Sequence, residues 1–212
     1  PPRPRLPAPG GGPNVYRGAE DSQLPATTAV SRVGRGDRVL DLGTGSGHVG
    51  RAVDEACGAR VVASDLNPHA CRRARDAGLE AVRADMVAPF RGGSFDWVLF
   101  NPPYLPTPED QEWDDWMERA LSGGADGRAV VDPFLASVRR VLAPGGRALL
   151  LVSSLPGPDT VRATARAAGL APDEGRDQGY PCEPRGLLEL VRTRGRRLRR
   201  ITAGQPHACQ TV

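Results

Sequence analysis

Residues 38–50, RVLDLGTGSGHVG, pass from an apolar strand pattern through a glycine-rich turn into a helical pattern. Gly43, Gly45 and Gly47 let the backbone turn sharply and let a ligand approach it without Cβ clashes. The alternation then repeats along the chain. RVVAS, EAVRAD, FDWVLF, RALLLVSS and LLELVRT read as strands, and helical patterns lie between them. In DLNPHACRRARDAG, Asn67 is a candidate N-cap, Pro68 takes the first helical position and Gly78 can close the helix. Further helices are expected from about Gly127 to Leu142 and near Asp159 to Ala168. Ala143 to Gly146, APGG, reads as the turn feeding the RALLLVSS strand. The polar stretch NVYRGAEDSQLPATTAV becomes helix-like toward its end. Strands alternating with helices imply βαβ units, hence an α/β fold with a mostly parallel sheet and helices on both faces. One long irregular region remains, Leu105 to Asp126, and loops of that length in compact domains usually carry function or disorder.

At 212 residues and 39% hydrophobic content the chain is expected to form one domain with a substantial core. No apolar run approaches the ~20 residues that cross a membrane. The opening PPRPRLPAPGGGP lacks the apolar centre of a signal peptide, so a cytoplasmic location is expected. Residues 1–13 read as a disordered Pro- and Gly-rich arm, 14–193 as the folded domain and 194–212 as a basic, flexible tail. All 28 basic residues are Arg, and eight of them lie in the arm or from Arg192 onward. Between Leu6 and Val191, 20 Arg face 25 acids, so the body is mildly acidic. The tail reads as a solvated terminus rather than a nucleic-acid contact. Cys57, Cys71, Cys182 and Cys209 show no C-x-x-C spacing and are expected to be reduced thiols. His48, His69 and His207 form no cluster in sequence, and no metal site is expected.

The glycine loop sits where the first strand meets the first helix, the crevice at which open parallel sheets bind ligands. Gly45, Gly47 and Gly50 satisfy G-x-G-x-x-G, so a nicotinamide dinucleotide is one reading. Asp65, 20 residues after Gly45, can accept both ribose hydroxyls of a nucleoside. Asp41 at the loop's entrance tilts the choice, because its charge repels a pyrophosphate and attracts an ammonium group. Asp85 ends EAVRAD where an adenine amino group could be bonded, although an Asp at a strand end is commonly a turn residue. Asp41, Asp65 and Asp85 are expected to face one crevice. A second rigid element follows FDWVLF. In NPPY, Asn101 to Tyr104, proline fixes φ and restrains the residue before it, so an amide and an aromatic ring are held at a strand end.

DLGTGSG followed by NPPY resembles the class I S-adenosylmethionine-dependent methyltransferases. VYRGAEDS, SDLNP and GGADGRAVVDPFL extend the resemblance, over about Asn14 to Arg192, to HemK/PrmC-type protein glutamine methyltransferases. Within these it is most similar to the archaeal and eukaryotic branch that modifies class I release factors at a Gly-Gly-Gln motif. The resemblance implies one doubly wound, Rossmann-like, seven-stranded domain. It implies S-adenosyl-L-methionine as cofactor, leaving S-adenosyl-L-homocysteine. It places Ser22 near the cofactor's carboxylate end, Asp41 and Gly43 along the methionine portion, Asp65 on the ribose and Asp85 at the adenine, with Gly45, Gly47, Leu66 and Met86 also among the cofactor-binding residues. Asn101 would touch cofactor and acceptor.

In that setting the Asn101 side-chain oxygen and the Pro102 carbonyl would accept the hydrogens of an acceptor amide. Tyr104 would pack on its flat face, so that orientation and fixed dipoles carry the catalysis. The implied partner is a protein substrate such as a release factor. Eukaryotic members of the branch also work with a small zinc-containing activator protein. NPPY also fits adenine-amine methyltransferases, but the acidic body and the lack of a target-recognition domain disfavour nucleic acid. A small-molecule amine, a cofactor-binding module without turnover and an NAD oxidoreductase are the further alternatives. Ser22 stands where the family usually has Thr. Leu121 and Ser122 stand where relatives tend to have Trp before the Gly-Gly pair, and Glu109 to Glu118 is strongly acidic. In this stretch Trp113 and Trp116 read either as recognition of a basic polypeptide or as a docked helix.

Overall fold

A computed structural model describes residue 15 and residues 22–108, 116–153, 155, 157–173 and 185–193. The arm 1–13, the tail 194–212, most of VYRGAEDS, the acids of 109–115 with Trp113, Cys182, Cys209 and His207 lie outside the described residues.

Short β-branched and leucine-rich runs form the sheet. β1 is Arg38–Leu42, β2 Arg60–Asp65, β3 Glu80–Arg83, β4 Phe95–Phe100, β5 Leu142–Ser153, β6 Leu170–Asp173 and β7 Arg185–Arg192. Their order is 3-2-1-4-5-7-6. β1 to β5 run parallel, whereas β7 lies antiparallel between β5 and β6. The order reverses between β1 and β4, which makes the gap above that pair a topological switch point.

Side-chain alternation along the strands feeds two cores. Val39, Val61, Ala63, Leu99 and Leu149 point to one face, covered by α1 (Gln23–Val30), α2 (His48–Cys57) and α3 (Pro68–Asp76). Leu40, Leu42, Val98, Phe100 and Leu150 point to the other, under α5 (Val131–Val141) and α6 (Pro158–Ala167). Each of these chain-long apolar stripes closes off one sheet face, as doubly wound sheets require. Glu189 of β7 is buried but paired with Arg147 and Arg32, which makes its burial tolerable. No helix of the described residues is long and apolar enough to cross a membrane.

Several expectations shift in detail. β6 was not legible as a strand: it is four residues long and contains Pro172, which only an edge position tolerates. The APGG segment does not precede β5 but stays inside it as a bulge. Phe95 pairs with Leu142 and Trp97 with Arg147, and Gly145 takes φ +81°. α5 begins at Val131 rather than Gly127, because the Ala129 amide donates to Gly123 O at 2.8 Å and holds the preceding residues in a loop. β3 ends at Arg83, so Asp85 lies two residues past the strand. The irregular region contains one helical turn, α4 (Trp116–Arg119), where Arg119 sits over the half-buried Trp116 ring. Asn67 caps α3 as expected, accepting from the His69 amide at 2.9 Å.

Candidate functional site

The parallel register brings the strand ends together. Leu42 pairs with both Ser64 and Phe100, and Asp65 pairs with Arg83. Gly43, Leu66, Ala84 and Asn101 therefore leave the same edge of the sheet from neighbouring strands.

The glycine loop is held by two carboxylates. Asp41 is 4% exposed, and its Oδ2 accepts the Thr44 hydroxyl at 2.6 Å and the Gly50 amide at 3.0 Å. Asp65 accepts the Gly45 amide on Oδ2 at 2.9 Å and the Asn67 amide on Oδ1 at 2.8 Å. Asp41 thus ties loop to helix α2, and Asp65 ties loop to helix α3. Gly43, Gly45 and Gly47 all sit at positive φ, which L side chains rarely adopt. Burial, reinforced by the nearby Asp65 charge and opposed by the Thr44 and Gly50 hydrogen bonds, pushes the Asp41 carboxyl up to about 6. Burial also raises Asp65 against the pull of its amide donors. Two desolvated acids side by side form a place where a cation is favoured.

Thr44 was not singled out by sequence reasoning, although its position three residues after Asp41 allows such a bond. Gly50 completed the glycine motif, and packing gives it a further task. A Cβ there would lie 2.7 Å from Asp41 Oδ2 and 3.2 Å from Leu79 Cδ1. Gly50→Ala in a helix interior would ordinarily stabilise by about 0.5–1 kcal/mol. Here overpacking against Asp41 costs about 1–3 kcal/mol and prevails. Urea unfolding is expected to show net destabilisation of about 1 kcal/mol or more, with the slope of the transition unchanged.

Leu66 is 42% exposed beside Asp65, and its carbonyl accepts from Arg83 Nε at 3.1 Å. Asp85 is exposed in the turn that follows β3. Met86, next to it, has φ +50° and is the only non-glycine at positive φ among the described residues. Ser22 forms the N-cap position of α1 and is buried, but its side chain makes no capping bond.

Across the switch point, Asn101 leaves β4 with its Oδ1 buried and without a hydrogen-bond partner among the described residues. Pro102 and Tyr104 are buried behind it. The chain after Tyr104 is then clamped to the Gly-Gly segment. Leu105 N donates to Leu121 O at 3.0 Å, Gly123 N to Leu105 O at 2.8 Å and Thr107 N to Gly124 O at 2.9 Å. Gly123 has no room for a Cβ, which would lie 2.8 Å from Gly127 backbone atoms. The segment after NPPY and the distant GG-x-x-GR block are thus mounted on one another. Arg128 closes that loop through Asp126 and Asp132. Chemically, the edge presents a cation-favouring acid pair, a carboxylate with lone pairs to spare and an unpaired amide oxygen.

The methyltransferase-domain family matches residues 39–124. A putative protein N5-glutamine methyltransferase of Methanocaldococcus jannaschii is 35% identical over 151 residues, covering 68% of this chain and 75% of its own. Methyltransferase HEMK2 of Mus musculus is 29% identical over 171 residues, covering 74% of this chain and 80% of its own. Among solved structures, the E. cuniculi Mtq2–Trm112 complex, responsible for methylation of the eRF1 translation termination factor, superposes with a TM-score of 0.70. It is 28% identical, and the match covers 84% of this chain and 99% of that one. Agreement of that depth across most of two chains is kinship: the chain belongs to the class I S-adenosylmethionine-dependent methyltransferases, in the HemK-like family of its archaeal and eukaryotic branch.

Proposed function

We propose that this protein methylates the side-chain amide nitrogen of a glutamine in a protein substrate, a translation release factor. The observation that carries this reading is the buried, unpartnered Asn101 Oδ1 at the switch point. A buried acceptor without a donor is costly and uncommon, and it is suited to a donor that arrives with a ligand.

The residues fit S-adenosylmethionine. Asp65 accepts loop amides on both oxygens and keeps lone-pair capacity for a ribose hydroxyl. Asp41 and Asp65 supply the negative potential for an ammonium group. Exposed Leu66 and half-buried Met86 would flank a flat base, with Asp85 to accept its amino hydrogens. Ser22 would stand at the carboxylate end, and Gly43 would leave its backbone open to the methionine portion. When bound, the cofactor supplies an electrophilic methyl on sulfur.

An amide nitrogen is a weak nucleophile because its lone pair is delocalised into the carbonyl. Asn101 Oδ1 and the Pro102 carbonyl would each accept one of its hydrogens. Those bonds fix the nitrogen and favour charge leaving it as it reacts. Tyr104, buried behind the turn, would pack on the amide plane and hold it in line. The nitrogen bonds the methyl as the methyl–sulfur bond breaks, and the surplus N–H proton passes to solvent after transfer, so no residue needs to act as a strong base beforehand. The name of the archaeal relative and the eRF1 activity of the Mtq2 complex support the glutamine assignment. The Trm112 subunit of that complex supports a small activator partner here too.

The test is transfer of a tritiated methyl to a recombinant release factor, with and without such an activator, followed by protease or nuclease. Label that is protease-sensitive and abolished by Gln→Ala in the Gly-Gly-Gln motif is the expected result. Label lost to nuclease alone would reassign the acceptor to an adenine amine.

A further inference from the structure

The proposed adenine end of the site rests on a turn that barely holds itself. Residues 85–90, DMVAPF, join the edge strand β3 to the run into β4. Their own backbone bonds are few: Ala88 N to Asp85 O at 3.4 Å and Phe90 N to Val87 O at 3.2 Å. Yet this turn keeps Met86 at φ +50°, a conformation a long side chain avoids unless its surroundings impose it.

The group that holds the turn from outside lies 50 residues away in sequence, in the last turn of α5. The Arg140 guanidinium donates to Phe90 O at 2.6 Å, to Ala88 O at 3.2 Å and also to Val87 O. The Arg140 carbonyl in turn accepts the Gly93 amide at 3.0 Å. Val87, fully buried, and Phe90, edge-on to Phe95, seat the same turn on the core beneath α5. One planar fork therefore satisfies three consecutive-turn carbonyls that neither helix nor sheet can reach. A lysine ammonium, a point charge without that fork, could not span all three.

We infer that Arg140 is a positioning residue for the cofactor's base: it fixes the 85–90 turn so that Asp85 and Met86 are preset for adenine. This inference rests on the proposed placement of adenine at Asp85 and Met86. Its signature is selective. Loosening the turn weakens ligands that carry the base, leaves ligands without it alone, and spares the chemistry at Asn101 on the far side of the switch point.

The experiment compares wild type, Arg140→Met, Arg140→Lys and Asp85→Ala in calorimetric titrations with S-adenosylhomocysteine and with S-ribosylhomocysteine, which lacks the base. Arg140→Met is expected to weaken S-adenosylhomocysteine about tenfold, with Arg140→Lys intermediate. The base-free ligand is expected to change less than about twofold, and kcat at saturating donor to stay within about twofold, since the lost contacts are not made to the reacting atoms. Equal weakening of both ligands, or no weakening of either, overturns the inference. If Asp85→Ala leaves S-adenosylhomocysteine binding intact, the adenine placement fails. If Asp85→Ala weakens it and Arg140→Met does not, only the role of Arg140 fails. Should Arg140→Met not fold, hydrogen exchange on the wild type decides. The amides of Met86, Val87, Ala88 and Phe90 are expected to slow with S-adenosylhomocysteine and not with the base-free ligand, and equal slowing overturns the inference.

Discussion

Asn101→Ala is expected to lower methyl transfer by about a thousandfold while S-adenosylhomocysteine binding stays within several-fold. The asymmetry follows from where the unpaired oxygen sits. Asp41, Asp65 and the glycine loop form their hydrogen bonds without Asn101, so the proposed cofactor side keeps its shape when the amide is removed. What is lost is an acceptor prearranged for the hydrogens of the incoming nitrogen. Asn101→Gln carries the same group one methylene further out and is expected to lose nearly as much, because a displacement of about 1 Å can cost a hundredfold. Folding offers a control that runs the other way. A buried acceptor without a partner costs about 1–3 kcal/mol, so the alanine variant is expected to unfold at the same temperature as the wild type or higher. An inactive protein of undiminished stability would identify Asn101 as functional. Full turnover by Asn101→Ala on a substrate that the wild type methylates would remove it from the mechanism.

What the sequence made legible was local. The strand, glycine loop and helix at residues 38–57 announce themselves because each signal concerns neighbours a few residues apart, and Asn67–Pro68 marks a helix start for the same reason. NPPY was conspicuous because two prolines after an apolar run allow little else. The illegible parts are relations between distant segments. Nothing in Gly123 indicates that its amide meets Leu105, or that Gly127 leaves no space for a side chain. Arg140 reads as an ordinary basic residue at a helix end until its three carbonyl partners are seen. Met86 shows no propensity for positive φ; the strain is imposed by the turn it occupies. β6 escaped because a proline in a four-residue run looks like a terminator, and only the antiparallel β7 beside it makes it a strand. From the sequence, Asp41 is a charge expected to face a ligand. Its first engagement is internal, with Thr44 and Gly50, and its electrostatic effect comes from burial.

That burial leads to the second large effect: Asp41→Asn is expected to stabilise the fold at neutral pH and weaken the site. The Asp41 carboxyl titrates near 6 in the folded chain against an ordinary value of 3.8. Between those two values the folded state binds the proton more readily than the unfolded state does, so this residue's contribution to stability falls as pH rises through that window. Above it the ionised acid costs the fold about 3 kcal/mol. Asparagine removes the charge and keeps an oxygen for the Thr44 hydroxyl and the Gly50 amide. Its NH2 must find an acceptor where a carboxylate oxygen lay, which offsets about 1–3 kcal/mol of the gain. The diagnostic is therefore the pH dependence of the difference. The stability of Asp41→Asn relative to wild type is expected to be about 2 kcal/mol more favourable at pH 7.5 than at pH 4, where the unfolded carboxyl is already about half ionised. Taking that difference cancels Asp96, which Arg38 holds below the usual carboxylate range and whose stabilisation is lost as pH falls. The same charge attracts the ammonium group of the proposed ligand. The variant is thus expected to bind S-adenosylhomocysteine about tenfold more weakly at pH 7.5, and wild-type binding to fade as pH drops through 6. Denaturant melts and titrations at both pH values check the two halves together. A flat stability difference would mean that Asp41 is not strained by its burial. Unchanged binding would mean that its charge serves only to hold the loop.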